Sequence, residues 1–224
     1  MEKDFKDYEK PSVTVDIIVF TIKDNDLKVL LVKRGIEPFK DKWAIPGGFI
    51  KLNENIEDAA KRELEEETGV KGVYLEQLYT FGDVNRDPRG RVITVSYFAL
   101  INSEKLSLKA ATDTSDAKWF SILDLPPLAF DHNKILEYAI QRLKWKFEYT
   151  TLAFSLLPQK FELSRLQKIY EIVFNKKFDK RNFRKKILSL NIIEPTKEMK
   201  KDVSYRPPKL YVLKNKKVRI LEMI

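Results

Sequence analysis

The 224-residue chain has no cysteine, which excludes disulfides, thiolate catalysis and cysteine-ligated zinc or iron–sulfur sites. It has one histidine, His132, so multi-histidine metal centres are excluded and a Ser-His-Asp triad is disfavoured. No apolar run reaches the roughly 18 residues of a membrane span, and the charged start Met1-Glu2-Lys3-Asp4 is no signal stretch. The expectation is a soluble, cytoplasmic protein in which glutamates are left as the metal ligands. Glycine is also scarce, with seven residues, all between positions 35 and 90. The 43% of hydrophobic residues is enough to build a core and argues against wholesale disorder.

The net charge of +9 is uneven. Residues 1–150 hold 23 Lys and Arg against 26 Asp and Glu, a net −3, whereas residues 151–224 hold 19 against 7, a net +12. Two compositions joined near residue 150 predict two domains, 1–148 and 149–224. The second is basic enough for a polyanionic partner or, alternatively, for a solvated lysine-rich surface.

The first domain reads as α/β. Val13–Phe20 and Leu27–Lys33 are β-rich runs joined by the hairpin signal Lys23-Asp24-Asn25-Asp26. Trp43-Ala44-Ile45 runs into the breaker Pro46-Gly47-Gly48. A helix is predicted from Glu57 to Thr68, stopped by Gly69, then strands at Val73–Phe81, Val92–Ile101 and Ala117–Ser121. A second helix is predicted from Asn133 to Phe147. This order favours a mixed sheet flanked by helices.

At helical spacing, Ile56, Ala59, Ala60 and Leu64 share a face, and Glu63, Glu66 and Glu67 fall on the same side. Three carboxylates beside an apolar stripe repel one another and lose hydration, so a hard divalent cation is a natural partner. An acidic run on a surface helix is the other reading. The spacing Gly48-(five)-Glu54-(seven)-Arg62-Glu63-Leu64-Glu65-Glu66-Glu67-Thr68-Gly69-Val70 resembles the Nudix box, with nine fixed residues across 23. The resemblance implies a Nudix fold over about residues 10–148, a mixed sheet sandwiched between helices. It further implies that Glu66 and Glu67 bind Mg²⁺ or Mn²⁺, that Glu63 is a ligand or assists as base, that Arg62 orients these carboxylates and that Glu54 supports the loop. The chemistry it implies is attack of water on a phosphorus of a nucleoside diphosphate linked to another group.

Outside the box, Arg34, Arg86, Arg89 and Arg91 are either phosphate clamps or solvated loop arginines. Arg34, Arg86 and Arg91 are assigned here as effector-binding. Asp113 or Asp116 is a candidate further base or part of an acidic turn, and His132 is read as a structural cap of the helix that it precedes.

In the second domain, Leu152–Leu157 is a short apolar segment. Ser164 and Gln167 form a capping-box pattern ahead of a helix with Leu166, Ile169, Tyr170, Val173 and Phe174 on one face. Asp179 is a predicted N-cap of a second helix, whose Phe183, Ile187 and Leu190 face the core while basic residues cover the rest. Strands at Ile192–Pro195 and Leu210–Leu213 bracket a basic hairpin, which completes the order of a winged helix-turn-helix. The DNA-binding candidates are Lys180, Arg181, Asn182, Arg184, Lys185 and, on the wing, Arg206. Docking on protein or RNA is the alternative use of such a surface.

The phrases Ala129-Phe130-Asp131-His132, Asp179-Lys180-Arg181-Asn182-Phe183-Arg184 and Arg206-Pro207-Pro208-Lys209-Leu210-Tyr211, with this domain order, resemble the Nudix-related transcriptional regulators of the NrtR type and their sugar-responsive relatives. The resemblance implies a homodimeric bacterial regulator that binds operator DNA and senses ADP-ribose or a sugar. Every fixed box residue is retained, so a Mg²⁺-dependent pyrophosphohydrolase with an accessory basic domain is the alternative function.

Overall fold

The computed structural model describes residues 8–101, 114–199, 208–215 and 218–221. The described residues form two compact units, one from 8–21, 28–99 and 114–139, the other from 22–27, 100–101, 140–199, 208–215 and 218–221. No helix among the described residues is long and apolar enough to cross a membrane.

The first unit is built on a seven-stranded sheet in which β3 (Trp43–Ala44), β2 (Asp26–Arg34), β1 (Ser12–Lys23), β6 (Val92–Ile101) and β5 (Glu76–Phe81) lie side by side in that order, with β4 (Gly47–Phe49) paired to β1 and β7 (Thr114–Ser121) to β2. β1 (Ser12–Lys23) and β2 (Asp26–Arg34) are joined through Asp24 and Asn25, both at positive φ (56° and 59°). Two consecutive left-handed residues give the turn whose twist matches a hairpin, and Asp and Asn tolerate that region. β1 is buried at eight successive positions, Thr14 to Thr21, so both of its faces are covered, and its apolar run Ile17–Phe20 is buried throughout.

β3 (Trp43–Ala44) and β7 (Thr114–Ser121) pair antiparallel with β2, and β4 (Gly47–Phe49) pairs antiparallel with β1. β5 (Glu76–Phe81) pairs antiparallel with β6 (Val92–Ile101). The predicted strand at Val73 starts three residues late, because the chain is still turning at Gly72 (φ 69°).

α1 (Ile56–Thr68) ends where predicted, with Gly69 left-handed at φ 73° and its N–H on the Glu65 carbonyl. Its buried stripe is Ala59, Ala60, Leu64 and Thr68, whereas Ile56, expected on that stripe, is exposed. α2 (His132–Tyr149) follows. This is the mixed sheet with helices that the box implied.

In the second unit, a 3-10 helix at Leu152–Leu156 precedes α3 (Leu163–Phe174), α4 (Lys180–Ser189), β8 (Ile193–Met199) and β9 (Lys209–Leu213). β8 and β9 pair antiparallel, and Phe161 bridges Tyr211 of β9 just before α3. Leu166, Ile169 and Val173 of α3 and Ile187 of α4 are buried. Tyr170 packs edge-on against Phe147 and Phe183 and donates its hydroxyl to the Phe147 carbonyl (3.0 Å).

The expected capping box of α3 does not form. The helix begins one residue earlier, Ser164 Oγ donates to the Glu162 carboxylate (3.0 Å), and the Gln167 amide points instead to Phe178 and Glu171. Asp179 does cap α4, its Oδ1 accepting the Asn182 N–H at 2.8 Å.

Candidate functional site

A pocket of about 230 Å³ opens in the first unit between β1, the β3–β4 segment, α1 and the loops carrying residues 86–89 and 130–132. Its floor requires two glycines. A Cβ at Gly47 would sit 2.1 Å from the Val15 carbonyl oxygen, and one at Gly48 would sit 2.5 Å from the Glu63 carboxyl carbon. With no side chain there, β4 lies flush on β1, and Gly47 N–H donates to Glu67 Oε2 at 2.9 Å.

Arg62 organises the acidic wall. Its Nε and Nη2 form a fork on Glu54 (2.9 and 2.6 Å), and its Nη1 reaches Glu63 Oε1 (2.6 Å) and Glu66 Oε2 (3.0 Å). Nη2 also reaches the Phe49 carbonyl at 3.2 Å. Arg62 holds the Glu54 carboxyl down at about 2, and these partners in turn raise the Arg62 pKa. Burial pushes Glu63 upward despite Arg62, and it pushes Glu67 up to about 8 even though Gly47 donates to it.

Glu63 and Glu67 line the pocket, whereas Glu66, with a side chain 54% exposed, does not. This oxygen donor set suits a hard divalent cation in its chemistry. Among the described residues, however, no three acidic or imidazole side chains are disposed as a ready metal site. Arg62 already neutralises two of the three glutamates.

The cationic side of the pocket differs from the assignment made on sequence. Arg34 lines it, donating Nε to the Pro38 carbonyl (2.7 Å) and lying 4.9 Å from the centre of the Phe130 ring. Arg86 also borders it, but with a side chain only 4% exposed. Its hydrogen bonds go to both Asp131 oxygens (3.1 and 2.8 Å) and to Asp16 (3.3 Å), so it braces the wall. Arg91 is bound to the Gly82 and Asp83 carbonyls and does not line the pocket.

Arg89, left out of the three effector assignments, does line it. Asp87 holds its Nε and Nη2 (3.0 and 2.7 Å), while its guanidinium lies 4.9 Å from the Phe49 ring centre and 5.5 Å from that of Phe130. Burial and the neighbouring Arg89 lower the Arg34 pKa, so two cations share this wall. No sequence signal singles out Arg89, because Phe49 and Phe130 are remote in the chain.

His132 accepts the Ile45 N–H on Nδ1 at 2.9 Å rather than capping α2, and its full burial lowers its pKa. Asp116 pairs with Lys118 on β7 and is not in the pocket, and Asp113 lies outside the described residues.

In the second unit, Lys180, Arg181, Asn182 and Lys185 are exposed along α4. Arg184 is held differently, its Nη2 donating to the Tyr211 hydroxyl of β9 at 2.9 Å. Arg206 lies outside the described residues. α4 is thus a capped helix with an exposed basic surface, tied to β9 through Arg184 and Tyr211.

Known proteins match this organisation. Residues 10–142 match the NUDIX domain family, and residues 153–213 match the NrtR DNA-binding winged helix domain. The ADPR responsive transcriptional repressor NtrR of Acinetobacter baylyi is 39% identical over 92% of this chain and 83% of its own length. The Shewanella oneidensis NrtR crystal structure with a 27mer DNA aligns over 90% of this chain and 93% of that one, with a TM-score of 0.74 and 36% identity. The NUDIX domain of that protein complexed with ADP ribose aligns over 63% of this chain and 94% of its own, with a TM-score of 0.58 and 41% identity. The chain belongs to the NrtR-type regulators, in which a NUDIX domain is followed by an NrtR DNA-binding winged helix domain.

Proposed function

We propose that this protein is an ADP-ribose-responsive transcriptional repressor that binds operator DNA through its winged helix. The observation that carries the reading is α4, whose capped, exposed basic surface sits beside the β8–β9 pair. The likeness to a relative crystallised on DNA supports it. Residues 1–148 are the effector domain and 149–224 the DNA-binding domain. Lys180, Arg181, Asn182 and Lys185 meet the duplex, joined on the wing by Arg206. Arg184 serves the wing contact instead.

Arg34 and Arg89 receive the diphosphate of the effector, and Phe49 and Phe130 flank it. The protein acts as a cytoplasmic homodimer, matching a two-fold operator. ADP-ribose changes operator affinity through unequal affinity for two states of the dimer.

The test is a gel shift on the region upstream of its own gene, with salt and ADP-ribose varied. The expected result is specific binding that weakens steeply with salt and shifts with ADP-ribose. Binding that ignores both sequence and ADP-ribose would overturn the reading.

A second reading, a hydrolase, is favoured by the complete box. Family hydrolases typically use divalent metals, and Mg²⁺ or Mn²⁺ here would be held by Glu63, Glu66 and Glu67, with Arg62 steering those carboxylates. The bound cation would supply charge neutralisation on the diphosphate and a more acidic water. Hydrolysis of ADP-ribose with Mg²⁺ by the natural protein, lost in Glu66→Gln/Glu67→Gln, would support it. Equal background rates in both proteins would reject it.

A further inference from the structure

α3 and α4 are joined by a short turn that begins at Asn175, left-handed at φ 48°, and ends at the N-cap Asp179. Within it, both polar backbone groups of Phe178 are taken by side chains of α3. The Phe178 N–H donates to Glu171 Oε1 at 3.2 Å, and its carbonyl accepts from Gln167 Nε2 at 2.9 Å.

These two side chains stand four residues apart, one above the other on α3, and are themselves bonded, Gln167 Nε2 to Glu171 Oε1 at 3.1 Å. The remaining Glu171 oxygen accepts from Lys177 Nζ at 3.2 Å. Glu171 is the inward partner of that pair, with a side chain 12% exposed against 82% for Lys177. The Phe178 ring meanwhile lies 6.1 Å from Phe174 of α3 and 6.1 Å from Phe183 of α4.

The aromatic contacts and the polar grip do different things. Apolar packing holds two helices together but is non-directional, so it tolerates sliding and rotation. Hydrogen bonds are directional, so two of them on the backbone groups of one residue restrict both its position and its orientation. The residue gripped is the one immediately before the cap. Asp179 then holds the Asn182 N–H, so the offset of Phe178 is passed directly to the turn carrying Lys180, Arg181 and Asn182. Contacts to base edges depend on that placement, whereas contacts of flexible lysines to phosphates tolerate a shift.

We propose that Gln167 and Glu171 are positioning residues for sequence reading. They set the axial position and rotation of the first turn of α4, and so govern choice among DNA sequences rather than general affinity for DNA. The proposal rests on the reading above that α4 enters the duplex.

The full-length protein is tested by anisotropy on two duplexes of equal length, one that it has selected from a randomised pool and one unrelated. Gln167→Met and Glu171→Met should each lower the preference for the selected duplex about tenfold, the scale of one mismatched base pair. Binding to the unrelated duplex and its salt slope should stay within about twofold of the natural protein. Glu171→Gln, which still offers an oxygen to the Phe178 N–H, should restore most of the preference. Lys177→Met should leave it unchanged.

A preference that survives both methionine variants, or affinities for both duplexes that fall in parallel, would overturn the proposal. Should Glu171→Met not fold, Gln167→Met, which removes the bond to the Phe178 carbonyl, decides alone. A natural protein that selects no sequence would overturn the DNA-reading function itself, and that arm is read before any variant.

Discussion

In the Nudix unit three arginines are held by carboxylates: Arg62 among Glu54, Glu63 and Glu66, Arg86 between Asp131 and Asp16, Arg89 on Asp87. In the winged helix, Lys180, Arg181 and Lys185 stand exposed in water along one helix. The same residue types therefore do opposite work. In the first unit they neutralise buried acids and shape a pocket, while in the second they hold charge at the surface, where it can displace the counterions condensed on a polyanion. The comparison predicts that removing a cation costs stability in one unit and binding in the other.

The largest effect should come from Arg86. Arg86→Met leaves Asp131 and Asp16 near each other without their shared cation, at a cost of roughly 3–5 kcal/mol in urea unfolding. A loss below about 1 kcal/mol would mean that the two carboxylates simply protonate or hydrate. In contrast, Arg181→Ala and Asn182→Ala should leave unfolding within about 0.5 kcal/mol of the natural protein. Each should weaken the selected duplex by about 1–3 kcal/mol if it reads a base edge. Lys180→Ala should weaken all duplexes alike and reduce the salt slope by about one. A stability loss in any of these three would blur the distinction between the units.

The sequence disclosed these two halves unequally. The box glutamates were legible because their helix is continuous in the chain, so spacing alone places Glu63 and Glu67 together. The N-cap Asp179 and the hairpin at Asp24-Asn25 were legible for the same reason, since turn chemistry is local. The role of Arg86 was not, because its partners lie 45 and 70 residues away, and only the folded sheet brings them within 3.3 Å. Arg89 was among the four candidate phosphate clamps, but its preference over Arg91 was not legible, since its aromatic neighbours Phe49 and Phe130 come from two other segments. Gln167 was read as half of a capping box because that pattern is local, yet its amide is engaged by a turn eleven residues on. What spacing hides, then, is which of several chemically equivalent side chains has already found a partner in the fold.

A smaller effect is expected where the two behaviours meet, at Arg34. It lines the pocket beside Arg89 and keeps its Nε on a backbone carbonyl, so it combines a structural bond with a charge facing the cavity. Arg34→Met retains much of the stem over Phe130 while removing that charge. ADP-ribose binding measured by calorimetry should weaken about tenfold, or ~1.5 kcal/mol, the range of a charge-assisted hydrogen bond. Unchanged affinity would assign the diphosphate to Arg89 alone.

The smallest effect belongs to His132, and it separates burial from charge pairing within the Nudix unit. Its Nδ1 accepts the Ile45 N–H, a role open only to the neutral ring in its Nε2–H tautomer, and burial holds its pKa below the ordinary value of 6.5. A group whose pKa is depressed on folding contributes stability that is complete above its unfolded pKa. That stability is lost as pH falls below it, because the unfolded chain then takes the proton more readily. As pH falls from 7.5 to 5.5 the natural protein should therefore lose stability through this residue. His132→Asn, whose Oδ1 can take the same N–H, should remove that part of the pH dependence. The difference between the two unfolding curves isolates His132 from the carboxylates, Glu67 with its pKa raised to about 8 among them. Parallel curves across this range would mean that the imidazolium is tolerated in the fold, with Asp16 and Asp131 compensating the lost hydration, and would place His132 with Arg86 among the paired charges of this unit.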